Sequence, residues 1–372
     1  MHRAGFLRGH GRGEPLASGK GLGGAMRRGP CFIVPPHIIE SIARNGSSRQ
    51  KARAFAAIAA SERIRGRREA MGLLPRGLHP ACAEKQRTVF DAQNRTQPPY
   101  RLARREGARP TKDVAVNEAF DGAGSTFDLF EKAFERCSID GRGLALQSVV
   151  HFATFFDNAF WDGAQMVYGD GDGDLFGRFT ASVDVIGHEL THGVTQYEAG
   201  LEYYGQPGAL NESFSDVFGS LVRQRLLGQA ADEADWLIGA ALLTKNVEGV
   251  ALRSMKAPGT AYDDDVLGKD PQPAHMRDFV KTTKDNGGVH INSGIPNKAF
   301  FEAATRIGGR AWEKPGRIWY EALNEGLKPH SSFADAARVT AAAARKLYGA
   351  GGKEEKAVTA AWKAVGVRPA TR

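Results

Sequence analysis

His188-Glu189-Leu190-Thr191-His192, followed twenty residues later by Glu212, is the stretch on which the reading of this chain turns. On an α-helix the two histidines lie one turn apart on one face, about 6 Å along the axis. Both imidazoles can then reach a single tetrahedral Zn2+. Glu189 is rotated about 100° from His188, off the metal but within reach of a water beside it. A catalytic zinc needs a third protein ligand and one open position. The segment Gly208-Ala209-Leu210-Asn211-Glu212-Ser213-Phe214-Ser215-Asp216 offers Glu212. Asp216 falls one turn further along the same face, where a carboxylate can receive the free N–H of a ligand histidine. The bland alternative is a pair of helix histidines satisfied by neighbours, with Glu212 and Asp216 on a solvated face. Leu210, Phe214, Val217 and Phe218 argue against it, because they mark a buried helix in which unpaired carboxylates would be costly.

Spacing separates this pattern from other zinc sites. A third histidine of the H-E-x-x-H-x-x-G-x-x-H kind is absent, since Thr195 and Glu198 occupy its glycine and histidine positions. In zinc aminopeptidases with a glutamate third ligand, that glutamate comes one residue earlier, where Asn211 stands.

The rest of the chain is compatible with a folded enzyme. Of its 372 residues, 42% are apolar and 25% charged, the ordinary globular range. No apolar run approaches the ~18 residues of a membrane span, so none is expected. Three cysteines (Cys31, Cys82 and Cys137) exclude a disulfide scaffold. The net charge of +8 is unevenly placed. Residues 1–110 hold 22 Lys/Arg and 7 Asp/Glu, a net +15, and residues 111–372 hold 28 and 35, a net −7. No interleaved aromatics, zinc-finger spacing or recognition-helix pattern accompanies the arginines, so no nucleic-acid partner is expected. The opposite signs of the two parts suit docking of one on the other.

Along the chain, residues 1–30 are rich in Gly and Arg and read as a disordered basic tail or a mis-assigned start, with Met26 close to the better-patterned stretch. They contain no apolar core of a signal peptide. After Pro35-Pro36, the spacing of Ile38, Ile39 and Ile42 predicts a helix that stops at Asn45-Gly46. A second helix follows from about Ser48 to Met71, and residues 72–87 read as a linker. A helix is predicted over about 125–137, a hairpin turn over Tyr168–Asp174, and a strong helix over Phe333–Leu347. The acidic turn fails as a calcium loop of the EF-hand kind, because Ala181 stands where the glutamate is needed.

With these motifs in hand, residues 87–365 resemble the thermolysin family of zinc metalloendopeptidases. Asn158-Ala159-Phe160-Trp161-Asp162-Gly163 resembles the family's edge-strand motif, which implies that Asn158 and Ala159 bind the substrate backbone. His188, His192 and Glu212 match its ligands to one catalytic Zn2+, and Glu189 its general base. Tyr203 falls at its oxyanion tyrosine, and Arg253-Ser254-Met255 resembles its substrate-binding arginine. Asp285-Asn286-Gly287-Gly288-Val289-His290 matches its active-site histidine motif, with Asp285 orienting His290. Phe176, Phe179, Val185, Leu242 and Leu252 match positions lining its first leaving-side pocket. All five are apolar, which implies cleavage of peptides and proteins on the amino side of hydrophobic residues.

The resemblance implies an α+β, two-lobed zincin. A strand-rich lobe over 87–198 would include the histidine helix, and a helical lobe over 199–372 would lie across the zinc cleft. Pro35-Pro36-His37-Ile38-Ile39 resembles the short propeptide of protealysin-like enzymes, which implies a zymogen whose residues 31–80 act as an intramolecular inhibitor. Cys31 could serve as an inhibitory zinc thiolate, although a structural cysteine is the plainer reading. Ca2+ is a possible further ion, but the family's double calcium site looks lost. Asp184 and Asp235 remain there, while Arg223, Leu237, Ala240 and Ala241 replace acids, and Val250 replaces an aspartate at another calcium site. Arg223 is expected to pair with Asp184 in place of the metal. Secretion is expected from the family, although no classical signal is visible. The alternatives are a catalytically silent zincin-fold binding protein and an aminopeptidase-type zincin.

Overall fold

The computed structural model describes the backbone of residues 31–71 and 84–370; the side chains of Cys31 and of residues 62–71 are outside the description. The expectations for the tail 1–30, for residues 72–83 of the linker and for the Cys31 thiol lie outside the described residues. Cys137 is disulfide-bonded, the one bridge that three cysteines can make within a chain.

The described residues begin with a short strand β1 (Cys31–Phe32) and two helices, α1 (Pro36–Asn45) and α2 (Ser48–Met71). Proline at the start of α1 costs nothing, because the first helical N–H groups have no intrahelical partner anyway. Gly46 ends the helix by returning its N–H to the Ile42 carbonyl. Ile38, Ile39 and Ile42 are all buried, as their spacing predicts. Ile39, Ile42, Ala54 and Ala57 line a small cavity together with Leu175 and Phe176 at the junction with the rest of the molecule.

The next unit is built on a mixed sheet of β2 (Arg87–Asp91), β3 (Arg101–Arg105), β4 (Leu146–Val150), β5 (Ala159–Trp161) and β6 (Met166–Tyr168). The strand order is β1-β5-β6-β4-β2-β3, so β1 covers the edge that β5 would otherwise expose. β1 runs antiparallel to β5, with Cys31 opposite Trp161 and Phe32 opposite Phe160. Helix α3 (Val114–Phe134) packs on this sheet. It starts eleven residues before the predicted helix, capped by the Asp113 carboxylate on the N–H groups of Ala115 and Val116. Gly122 and Gly124 hid its first half from a propensity reading. They sit where a Cβ would press on Ile186 and Arg87, so they are there for close packing. A turn forms before Phe176, but it is not the expected hairpin, since β6 pairs with β4 and β5 and not with a strand after the turn. Asp172 accepts the N–H groups of Asp174, Leu175 and Phe176, and Asp170 accepts from His151.

The remainder is mostly helical: α4 (Val183–Tyr197), α5 (Gly205–Leu227), α6 (Asp285–Asn292), α7 (Gly294–Ile307), α8 (Lys314–Glu321), α9 (Phe333–Tyr348) and α10 (Lys353–Ala364). Helix α9 matches its prediction closely and is held by a capping box between Ser332 and Asp335. A two-stranded ribbon, β7 (Leu237–Ile238) with β8 (Arg253–Ser254), carries Arg253 toward the helices. α4 and α5 cross closely because Gly187 and Gly219 meet at the crossing. A Cβ on Gly219 would lie 2.4 Å from the Asp184 carbonyl oxygen and 3.0 Å from the His188 nitrogen.

The proposed pairing of Arg223 with Asp184 is not found. Arg223 binds Asp235 at 2.7 and 2.8 Å. Asp184 is already engaged by the Ser182 hydroxyl, its neighbour's amide and the N–H of Gly239 at 2.8 Å. With both oxygens satisfied, it leaves the arginine to the half-exposed Asp235.

Candidate metal centre and cleft

Helix α4 presents His188 and His192 on one face, and α5 brings Glu212 against them. One nitrogen from each histidine and one oxygen from Glu212 lie within 4.8 Å of one another, and all three residues are buried. The Nε2 atoms of the two histidines are 3.0 Å apart. Their Nδ1 atoms face acceptors: Asp216 for His188 at 2.8 Å, and Asn211 for His192 at 2.8 Å, with the Ser215 hydroxyl at 3.0 Å. A carboxylate or amide oxygen can only accept, so each Nδ1 carries a proton and each Nε2 is turned toward the other histidine. Glu212 Oε2 is buried without a hydrogen-bond partner beside them, 3.5 Å from His188 Nε2. Two imidazole nitrogens this close and an orphaned carboxylate oxygen are costly to bury on their own. One divalent cation resolves both, so the donor set fits Zn2+.

The charges around the site agree. Burial works against a charged His188, but Asp216 and Glu212 outweigh it and raise its pKa to about 9 in the absence of a metal; a bound cation takes the place of that proton. Burial likewise opposes ionisation of Glu212, yet His290, His192 and His188 hold its carboxyl well below the ordinary range. Asp216 is kept ionised against burial by Arg253 and His188. It also accepts from Asn297 at 2.8 Å.

Glu189 points to the strand side. One of its oxygens accepts from the Trp161 N–H at 2.9 Å, and the other is buried without a hydrogen-bond partner. Burial pushes its pKa up to about 8. Opposite it, Tyr203 donates to Glu212 and lies 3.2 Å from His290 Nε2. His290 Nδ1 lies 2.6 Å from Asp285. Asp285 also receives the His290 backbone N–H at 2.9 Å, so one carboxylate fixes both the ring and the start of its helix turn. Burial disfavours the imidazolium, but Asp285 and Glu212 raise the His290 pKa. The intervening Gly287 and Gly288 have φ of 80° and 78°, a left-handed path that glycine follows without a Cβ clash.

Asn158, Ala159 and Arg253, expected to hold a peptide backbone, all reach one, and it belongs to the same chain. Ile33 donates its N–H to the Ala159 carbonyl at 3.2 Å. Arg253 donates to the Ile33 carbonyl at 3.1 Å. The Asn158 side chain accepts the Val34 N–H at 3.0 Å and donates to the Val34 carbonyl at 3.3 Å. Arg253 is itself fixed by two bonds to Asp216, at 2.8 and 2.9 Å. Phe176, Phe179, Val185, Leu242, Leu252 and Ile33 are all buried in the main apolar core, which spans both lobes.

The metal ligands, Tyr203, Asp216, Arg253, Asp285 and His290 thus form one connected set of contacts, which Asn158 and Ala159 join through residues 33 and 34. Sequence reasoning missed Ser215 and Asn297, and it used Asn211 only to exclude another spacing. Asn211 and Ser215 flank Glu212 on α5 and so could have been suspected; nothing in the sequence placed Asn297 near Asp216.

The fold and the cleft define a two-lobed metallopeptidase. Residues 82–196 match the thermolysin metallopeptidase catalytic domain, and residues 199–367 match the thermolysin metallopeptidase alpha-helical domain. An extracellular metalloprotease of Pectobacterium carotovorum subsp. carotovorum is 47% identical over 342 residues, 91% of this chain and 96% of its own. Protease PrtS of a Photorhabdus strain is 50% identical over 285 residues, 76% of each chain. The solved precursor of protealysin, a metalloproteinase from Serratia proteamaculans, superposes with a TM-score of 0.83 at 49% identity, covering 91% of this chain and 99% of that one. The chain belongs to the thermolysin family of zinc metalloendopeptidases.

Proposed function

We propose that the chain is a precursor whose mature form hydrolyses peptide bonds on the amino side of hydrophobic residues. The observation that carries this is the convergence of three buried ligand atoms with the free oxygen of Glu189 and the Tyr203–His290 pair. His188 Nε2, His192 Nε2 and Glu212 hold the zinc, with Asp216 and Asn211 fixing the imidazole rings. When bound, the ion supplies Lewis acidity toward water and the scissile carbonyl.

The side chains do the rest. Glu189 removes the proton of the attacking water and returns it to the leaving nitrogen. Tyr203 and His290 donate hydrogen bonds to the carbonyl oxygen as negative charge gathers on it. Asp285 keeps His290 oriented and favours its protonated form. Asn158, Ala159 and Arg253 hold the peptide extended against β5, a form of strand addition. The buried pocket of Phe176, Phe179, Val185, Leu242 and Leu252 selects an apolar side chain just after the cut. A quenched-peptide library tests this: strict preference for a charged residue at that position would refute it. Hydrolysis of internally quenched peptides with both ends blocked separates it from the aminopeptidase reading.

Residues 31–71 act as an intramolecular inhibitor by covering β5 with their own strand. Among the described residues the buried Arg53 carries docking: it pairs with Asp157 and donates to the Gly171 carbonyl at 2.9 Å. The enzyme does not use a double calcium site. This is supported by Leu237, Ala240 and Ala241 in place of acids and by the engagement of Arg223 with Asp235. Melting of the zinc-loaded protein with and without calcium tests it, and a large calcium-specific rise would contradict it.

A further inference from the structure

Three consecutive carbonyls of the first described segment are each held by a side chain expected to hold substrate. The Phe32 carbonyl lies 3.1 Å from His290 Nε2. The Ile33 carbonyl takes Arg253, and the Val34 carbonyl takes Asn158. An oxygen of a carbonyl can only accept, so His290 donates to it. The donating nitrogen is itself 3.2 Å from the Tyr203 hydroxyl and 3.6 Å from the ligand carboxylate of Glu212. The Phe32 carbonyl therefore occupies the place assigned to a scissile carbonyl. The next residue, Ile33, is fully buried in the main apolar core, to which the five expected leaving-side residues also belong. On the other side Phe32 packs on Phe160 with ring centroids 5.3 Å apart. The segment is thus seated in the forward direction of a substrate, with an apolar residue on each side of one bond.

We propose that the Phe32–Ile33 bond is the enzyme's first substrate, cut within its own molecule. This rests on the peptidase reading above. Water adds across the amide. The Phe32 carbon gains a hydroxyl and leaves as a carboxylate, and the Ile33 nitrogen takes the proton carried by Glu189 and leaves as an amine. The product chain begins at Ile33. It keeps the Arg253 and Asn158 contacts and the buried isoleucine face of α1, so inhibition outlasts this cut. Release of the inhibitor then needs a second cut, beyond α2.

The test uses the full-length precursor prepared with a chelator and then loaded with zinc. Intact mass and amino-terminal sequencing follow the first new terminus. The expected result is loss of residues 1–32 and a new Ile33 terminus, at a rate unchanged by tenfold dilution and absent in Glu189→Gln. A first terminus elsewhere, or a rate proportional to concentration, overturns the proposal. Ile33→Asp places a carboxylate in the apolar cluster and should slow the cut at least tenfold. Hydrogen exchange gives a readout that needs no turnover. In the metal-free Glu189→Gln precursor the Ile33 and Val34 amides should be protected, and free exchange there overturns the seating. A final arm separates the two readings. Precursor nicked by trypsin in residues 72–87 is given a quenched peptide containing Phe-Ile-Val. Hydrolysis of that peptide with no cut at Phe32–Ile33 in the precursor overturns this proposal alone; hydrolysis of neither overturns the peptidase reading as well.

Discussion

Replacing Arg53 with alanine should unlatch the inhibitor. Arg53 and Asp157 are 8% and 6% exposed, so their charges meet away from water. The guanidinium makes a two-pronged contact with the carboxylate, donates to the Gly171 carbonyl, and lies 4.9 Å from the Phe155 ring centre. Removing one member of a buried pair typically costs 3–5 kcal/mol, because the other charge is stranded. Here the stranded Asp157 regains water as soon as residues 31–71 lift off, so the loss falls on docking more than on the catalytic fold. Taking the lower end, about 3 kcal/mol corresponds to roughly 100-fold weaker docking. The assay is the rate at which uncut, zinc-loaded precursor hydrolyses a short quenched peptide, with cutting followed in parallel on a gel. Arg53→Ala should raise that rate strongly. Asp157→Ala should do the same, and the double variant should fall well short of the sum. A precursor that stays latent to within twofold in Arg53→Ala would refute the assignment of Arg53 as the principal latch.

Three further outcomes are expected. Glu189→Gln should keep its zinc and its melting temperature while turnover falls by about 10²–10⁴-fold, measured as kcat beside metal analysis. His37 is a pH-sensitive contact of the inhibitor: its pKa is lowered to about 4, chiefly by burial, with Asp285 opposing and the charges of His290 and Arg253 adding to the effect. Its Nε2 meets the Tyr262 hydroxyl at 2.9 Å and its buried Nδ1 has no hydrogen-bond partner among the described residues. Docking strength from His37 is therefore fully present above its free value of 6.5 and is lost as pH falls from there toward 4. The precursor of His37→Gln should lose most of this acid sensitivity, read as latency across that range. Gly219→Ala drives a Cβ into backbone atoms of α4 and should destabilise the fold by about 1–3 kcal/mol and weaken zinc retention, measured by melting and by metal content after dialysis.

The metal centre was legible because its signal is local. Helical spacing fixes which side chains of His188, Glu189 and His192 share a face, and Leu210 and Phe214 announce that Glu212 is buried. The cleft residues Asn158, Tyr203, Arg253 and His290 were placed by resemblance, since nothing local ties positions so far apart. Helix α3 was misjudged at its start because glycines chosen for contact with Ile186 and Arg87 look like helix breakers. Arg223 was paired with the wrong acid because spacing cannot reveal that the Gly239 amide already holds Asp184. The latch was also hidden: Arg53 is one arginine among many in a basic stretch, and only the fold sets it against Asp157. A two-residue strand such as β1 carries no periodicity, so its place on β5 could not be read ahead of the structure.

Zinc-edge X-ray absorption on the loaded Glu189→Gln precursor tests the centre most directly. One tightly held zinc per chain should show two imidazole nitrogens at about 2.0–2.1 Å and carboxylate oxygen, with the imidazole signature reduced in His192→Ala. Absence of tightly held zinc, or a shell dominated by sulfur at about 2.3 Å, would contradict the assignment of His188, His192 and Glu212.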